Sequence, residues 1–209
     1  MKWLKICCAV FLLGFSSLVL ADFCNIGKVT AVHGIATVMR EGHLIEASVD
    51  LTVCNGDKYL TDNSSVIQLA FIDGSKITIG KGTEFVVKEL AFNKDNDKPD
   101  LVLFELIKGA FRAVTGVLPK KQHRYEVKTS LATIGVRGTD FWGGFGLTES
   151  ALDVVMLSGK GVYVINAQGE SVELDVGGLG TTVIGTAAPS APKKWKDEKV
   201  AKALATITP

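Results

Sequence analysis

The sequence predicts an all-β fold built from many short strands. Between residues 25 and 185, runs of roughly five to seven apolar or β-branched residues recur, each closed by glycine, aspartate or asparagine. No run in that interval carries the 3.6-residue period of an amphipathic helix. Glycine is plentiful and proline scarce, 22 and 5 of 209 residues, which suits tight turns and not a flexible linker. Without alternating helices, a βαβ fold and its nucleotide crevice are excluded. Two architectures remain. Units of turn followed by strand recur at 73–79, 108–114 and 158–164, favouring a solenoid-like twisted β fold; the alternative is a β-sandwich.

The N-terminus reads as an address. Lys2 and Lys5 precede an almost unbroken apolar run over 6–20, and Val19-Leu20-Ala21 offers small or β-branched residues at the positions a signal peptidase reads. Residues 1–21 are therefore expected to be a secretory signal peptide. The run is shorter than the roughly 20 apolar residues of a membrane span, so no stable span is expected after cleavage. Formal net charge is +1; removing Lys2 and Lys5 leaves 21 bases against 22 acids. That balance gives no electrostatic reason to expect nucleic acid or an anionic membrane as partner. Cys7 and Cys8 leave with the signal, and Cys24 and Cys54 remain as an even pair in an oxidising compartment. A disulfide between them is expected. Two cysteines without matching histidines make a poor zinc site.

Strands are expected at 25–32 and 35–39 around His33-Gly34, and at 47–53 before the Asn55-Gly56 turn. Residues 66–72 are apolar almost throughout and should be buried on both faces. Asp73-Gly74 turns this run into 76–79; 83–89 follows. Residues 91–100 form a polar surface loop, and 101–107 and 110–115 flank Lys108-Gly109. A basic turn at 116–122 leads to 125–128, 131–136 and 139–142, the last two joined at Arg137-Gly138. Strands at 150–157, 161–166, 172–175 and 181–184 complete about 14 in all. The domain spans 22–188. In the tail, 189–209, prolines break the chain and 193–205 is helix-prone, with Trp195, Val200 and Leu204 near one face. This helix is expected to cover the open edge of the last strand.

Several stretches in this order resemble the FecR domain. They are Val29 to Gly34 (V-x-x-V-x-G), Gly56-Asp57 with Thr61, the run 65–75 ending in Asp73-Gly74-Ser75, Leu106 to Gly109, the run 129–141 containing Arg137-Gly138-Thr139, and Leu157 to Val162. The resemblance covers roughly 28–184 and implies an exported, non-enzymatic β module. In family members that respond to iron, such a domain receives a signal from an outer-membrane transporter, and a cytoplasmic segment acts on a sigma factor. Here the β region follows the signal peptide directly, so a stand-alone module without that segment is expected, and signalling to a sigma factor is not. The expected setting is the periplasm, or alternatively secretion. The expected partner is another envelope protein, an outer-membrane receptor or a wall-associated component, bound as sensor or scaffold. A cell-wall glycan-binding protein and an envelope hydrolase are the alternatives.

No catalytic residue, metal ligand or cofactor is assigned. Neither G-x-S-x-G nor H-E-x-x-H follows residue 21, and His33, His43 and His123 stand apart beside turns. Asn93, Asp95, Asp97 and Asp100 cluster hard oxygens, but Lys98 stands where a calcium loop needs glycine. Arg137 is expected to pair with backbone carbonyls or an acid on a neighbouring strand and fix its turn, or else to grip a partner's carboxylate. Asp73, Gly74 and Ser75, like Gly138 and Thr139, are read as structural signature residues. Trp142-Gly143-Gly144-Phe145, if exposed, is the candidate partner surface together with Trp195; if buried, it is a core edge bent at its glycines.

Overall fold

The computed structural model describes residues 24–91, 100–116 and 123–209. The expected signal peptide, the basic turn and most of the 91–100 loop, including Asn93, Asp95 and Asp97, lie outside the described residues. Eighteen strands and one helix are formed among those described. In chain order they are β1 (Cys24–His33), β2 (Ala36–Arg40), β3 (His43–Glu46), β4 (Thr52–Cys54), β5 (Lys58–Thr61) and β6 (Val66–Phe71). Next come β7 (Lys76–Ile79), β8 (Glu84–Ala91), β9 (Asp100–Lys108), β10 (Ala110–Val114), β11 (His123–Lys128) and β12 (Ala132–Val136). The chain ends with β13 (Thr139–Phe145), β14 (Ala151–Gly159), β15 (Val162–Asn166), β16 (Ser171–Leu174), β17 (Leu179–Ile184), β18 (Lys193–Lys194) and α1 (Asp197–Ala205).

These strands make two open nine-stranded sheets. The first runs β18-β17-β14-β13-β10-β7-β6-β1-β4, and the second β16-β15-β12-β11-β9-β8-β5-β2-β3. The chain lays down one or two strands in one sheet, crosses to the other and, once past β4, advances away from the edge that β3 and β4 form. Both sequence-based architectures thus meet in one object: two sheets share a core, and the path through them coils. Pairing is antiparallel except between β9 and β11, which run parallel because β10 crosses to the first sheet between them.

The core lies between the sheets. Phe71 and Phe111 from the first meet Phe85 and Phe104 from the second, and Tyr125 and Phe141 extend the row, with ring centroids 5.3–5.6 Å apart. Offset and edge-on contacts at this spacing are the favoured aromatic geometries. Alternation follows the pleat in β9, where every second residue from Asp100 to Leu106 is buried.

Three expectations are corrected. β3 and β5 were not foreseen; both are four residues long, and polar residues interrupt their apolar pattern. The 66–72 run is not buried on both faces: Gln68 is exposed and Ile72 is 63 % exposed, because the outer face of the first sheet is open there. Double burial falls instead on β14, where Ala151 to Met156 are all buried. The reason is the tail: α1 lies across the outer face of the first sheet, and Trp142, Val155, Trp195, Ala203 and Ile207 form a second, smaller core. The helix therefore does not cover the last strand's edge; β18 pairs there with β17. Asp197 and Glu198 in its first turn and Lys202 in its last complement the helix dipole. Among the described residues no helix is long and apolar enough to cross a membrane.

Candidate functional site

The signature turn lies where the chain crosses from β12 to β13. Gly138 takes φ of 60° there, a region glycine enters without a Cβ penalty. Thr139, 3 % exposed, locks the crossing. Its Oγ1 lies 2.8 Å from Gly161 O and 3.0 Å from Arg137 O, and accepts the Gly161 N–H at 3.1 Å. Thr115 Oγ1 accepts the Thr139 N–H at 2.7 Å. The same device recurs at Lys81-Gly82-Thr83, where Gly82 has φ of 61°. Thr83 Oγ1 accepts the Ala110 N–H at 3.0 Å, and Thr61 Oγ1 accepts the Thr83 N–H at 2.9 Å. This repeat escaped the sequence reading; the legible signal was a basic residue, glycine and threonine at both 81–83 and 137–139.

The turn-fixing side-chain pairing expected of Arg137 is not formed among the described residues. Its backbone N–H donates to Gly161 O at 3.0 Å, but its side chain is exposed. Among the described residues the guanidinium makes no hydrogen bond or ion pair. The turn is held by the hydroxyl two residues on, which leaves the arginine pointing off the outer face of the second sheet.

Asp73-Gly74-Ser75 forms the turn between β6 and β7. Asp73 Oδ1 accepts the Ser75 N–H at 2.9 Å and its hydroxyl at 2.6 Å, and Gly74 has φ of 81°. Among the described residues, Asp73 Oδ2 and the hydroxyl of buried Tyr125 have no hydrogen-bond partner. Burial, then the Asp73 charge, pushes the Tyr125 phenol far above its usual range.

At the N-terminal end Cys24 and Cys54 are joined in a disulfide and face each other across β1 and β4. Beside the bond, Asp57 is fully buried. It receives Arg40 through two bonds of 2.7 Å, the Cys54 N–H at 2.8 Å and the Tyr59 hydroxyl at 3.3 Å. Such a bidentate pair, completed by a backbone donor, is the arrangement that makes a buried carboxylate tolerable.

The expected partner surface is altered most. Trp142 is fully buried, Trp195 is 4 % exposed and Phe145 is half-buried. The two indoles meet edge-on at 6.3 Å, and Trp142 Nε1–H donates to Thr206 Oγ1 at 3.0 Å. Glycines make the room: a Cβ on Gly144 would lie 2.5 Å from that of Ala110, and one on Gly180 would lie 2.3 Å from Trp195 Nε1. The tryptophans are thus the floor of the tail's packing. What stays open beside them is a groove of about 510 Å³ between Trp195, Leu147 and the start of α1.

Five lysines line that groove. Lys199 reaches fully buried Asp153 at 2.7 Å and sits 4.0 Å over the Trp195 ring, and Lys202 pairs with Glu198 at 2.9 Å. Lys193, Lys194 and Lys196 are exposed and have no acidic partner among the described residues. The charge near balance across the chain is therefore local excess here. Among the described residues no group of three or more histidines, cysteines, aspartates or glutamates could hold a metal. His33 and His43 are exposed.

Comparison with known proteins agrees with this geometry. The sequence model of the FecR family, described as FecR protein, matches residues 57–161, half of the chain. The match opens on buried Asp57 and closes on Gly161, the partner of Thr139. Among curated proteins no match was found. Two crystal structures of a "putative anti-sigma factor" from Parabacteroides distasonis ATCC 8503, at 1.65 and 2.50 Å resolution, resemble the fold with TM-scores of 0.55 and 0.53. Each is 18 % identical over 70 % of this chain. The alignments cover 64 % and 63 % of those chains, so this chain spans less than two thirds of their length. At that identity the likeness shows the fold alone.

Proposed function

The chain belongs to the FecR family, and from that premise we propose that it is a non-catalytic regulatory protein of the cell envelope that binds another envelope protein as sensor or scaffold. Export to the periplasm is part of the reading. It is supported by the charged start and apolar run over 1–20 and by the disulfide, which suits an oxidising compartment. A sensing role is supported by family membership and by the fold shared with the structures described as anti-sigma factor.

The observation that carries partner binding is the lysine-lined groove beside α1. Its three unpaired lysines suit an acidic segment of the partner, and Leu147 and the edge of Trp195 supply apolar contact. Lys194 faces Leu179 as a non-hydrogen-bonded pair, since the Trp195 N–H donates to Gly178 O at 2.9 Å. The backbone N–H and C=O of Lys194 are therefore directed away from β17, towards whatever lies along that edge.

Site-specific photo-cross-linking in cells tests this. A photoreactive residue at Leu147 should give one discrete protein adduct, and one at exposed Ile72 on the open part of the same sheet should not. Replacing Lys193, Lys194 and Lys196 by glutamate should abolish the Leu147 adduct. Identical adducts from both positions, or an adduct indifferent to charge reversal, would remove the groove as the docking site. Mass spectrometry of the mature chain should find Asp22 at its N-terminus, and a chain retaining Met1 would remove export.

A further inference from the structure

We propose that the outer face of the second sheet carries a binding site, centred on Tyr163, for a sugar ring bearing a carboxylate. Tyr163 lies on β15, 40 % exposed. In register with it across the sheet stand Glu126 of β11, Gly135 of β12 and Glu173 of β16. The ring does not stand up from the sheet. A Cβ on Gly135 would lie 1.7 Å from its Cζ and 2.2 Å from Cε2, so the phenol is laid across the neighbouring strand. One face rests on the Gly135 backbone and the other meets solvent. Gly135 has no positive φ to explain it; the glycine is there because any side chain would lift the ring.

Around this platform the pleat places charged groups. Residues 124, 126, 135, 137 and 163 share the outward face, while Tyr125, Ile134, Val136 and Val162 point into the core. Arg124 Nε donates to Glu126 Oε1 at 2.6 Å, and Glu126 is only 7 % exposed, with Oε2 lacking any partner. Arg137, two residues beyond Gly135, has a guanidinium with no partner among the described residues. Burial and the Glu126 charge raise the Tyr163 phenol while Arg124 and Arg137 lower it, so all three groups lie within electrostatic reach of that hydroxyl. Lys160 approaches the turn at Gly138, and Glu173 lies beyond Gly161.

A flat aromatic ring edged by charged donors and acceptors is what a saccharide requires. Its C–H face covers the ring, and its hydroxyls meet polar groups at the edge. A carboxylate on the sugar gives the Arg137 fork its natural counterpart. A protein hot spot would be surrounded by apolar contacts that exclude water, and here the surround is charged. A nucleic-acid strand would need a row of cations, and Glu126 and Glu173 interrupt it. This face lies on the opposite sheet from the lysine groove, so the two sites stand or fall separately.

Calorimetric titration of the purified chain with oligogalacturonate, a carboxylated sugar probe, tests the assignment. Binding is expected, weakened at least about tenfold by Tyr163→Ala and by Arg137→Gln, and changed little by Tyr163→Phe. A neutral cello-oligosaccharide of equal length should bind about tenfold more weakly. No heat with oligogalacturonate, or binding indifferent to both Tyr163→Ala and Arg137→Gln, would overturn the site. Equal binding of oligo-glutamate would overturn the sugar and leave a reader of carboxylates alone. Should Tyr163→Ala fail to fold, Arg137→Gln decides, because the Arg137 side chain is exposed and bonds to none of the described residues.

Discussion

Thr139 and Arg137 sit two residues apart and divide the work of the signature turn. The Thr139 hydroxyl joins the 137–139 turn to Gly161 from a buried position. Thr139→Val keeps the shape and deletes the oxygen, leaving the Gly161 N–H without its partner and the Gly161 C=O with the Arg137 N–H alone. Thermal and urea unfolding should show a loss of about 1–3 kcal/mol, with Thr139→Ser recovering most of it. Arg137→Ala should leave stability within about 0.5 kcal/mol of the parent, as for an exposed side chain with no partner. A large loss in that variant would restore the structural role first expected of it. The sequence could place the kink at Gly138 from glycine alone. Which of the flanking side chains turns inward depends on which sheet face each strand presents, and no local pattern encodes that. Thr83 carries the same lesson: its motif was in plain view, but its partner, Ala110, is 27 residues away.

Tail and edge elements show how packing overrides a local reading. The helix was legible from Val200 and Leu204, but it starts at Asp197, so Trp195 precedes it and Lys193–Lys194 pair as β18; its seat was not legible, because small residues at Ala110, Gly144 and Gly180 open the outer face of β10, β13 and β17. Trp195→Ala should remove the centre of that second core, cost about 3–5 kcal/mol and shift Trp142 emission to the red as α1 loosens. Unchanged emission would mean that the helix stays seated without the indole. Strand β8 offers a pH test. Glu84 bridges Lys108 on β9 at 2.7 Å and Lys58 on β5 at 2.6 Å, and the bond to Lys108, then that to Lys58, holds its carboxyl below the usual range. In the unfolded chain the carboxyl takes up its proton at higher pH than in the folded one. Its contribution is therefore present at neutral pH and lost as pH falls through the folded value. Between about pH 5 and pH 3 the Tm of the parent should fall more steeply than that of Glu84→Gln; parallel curves would show that the bridge contributes nothing.

Across the whole molecule, the advancing path explains why sandwich and solenoid could not be separated by sequence. Each hairpin is local and readable, as at Lys76–Ile79, where expectation and strand coincide. The rule that sends the chain across to the other sheet after one or two strands lies in the crossings, not in the strands. The same path makes the ends of the sheets semi-independent, since strands far apart in order share no hydrogen bonds. The disulfide lies at one end. Its 30-residue separation encloses β1 to β4 and two crossings between sheets, and closing such a loop is worth about 3–4 kcal/mol in the chain-entropy account. Reduction should therefore lower the Tm of the parent and leave Cys24→Ser/Cys54→Ser unmoved. The loss should also be local. Hydrogen exchange should quicken in β1, β2 and β4, where Arg40 and Asp57 are left to hold the corner by themselves, while β13 and β14 under α1 keep their protection. Uniform loosening of both ends on reduction would show that the two sheets unfold as one unit and that the path through them confers no independence on their ends.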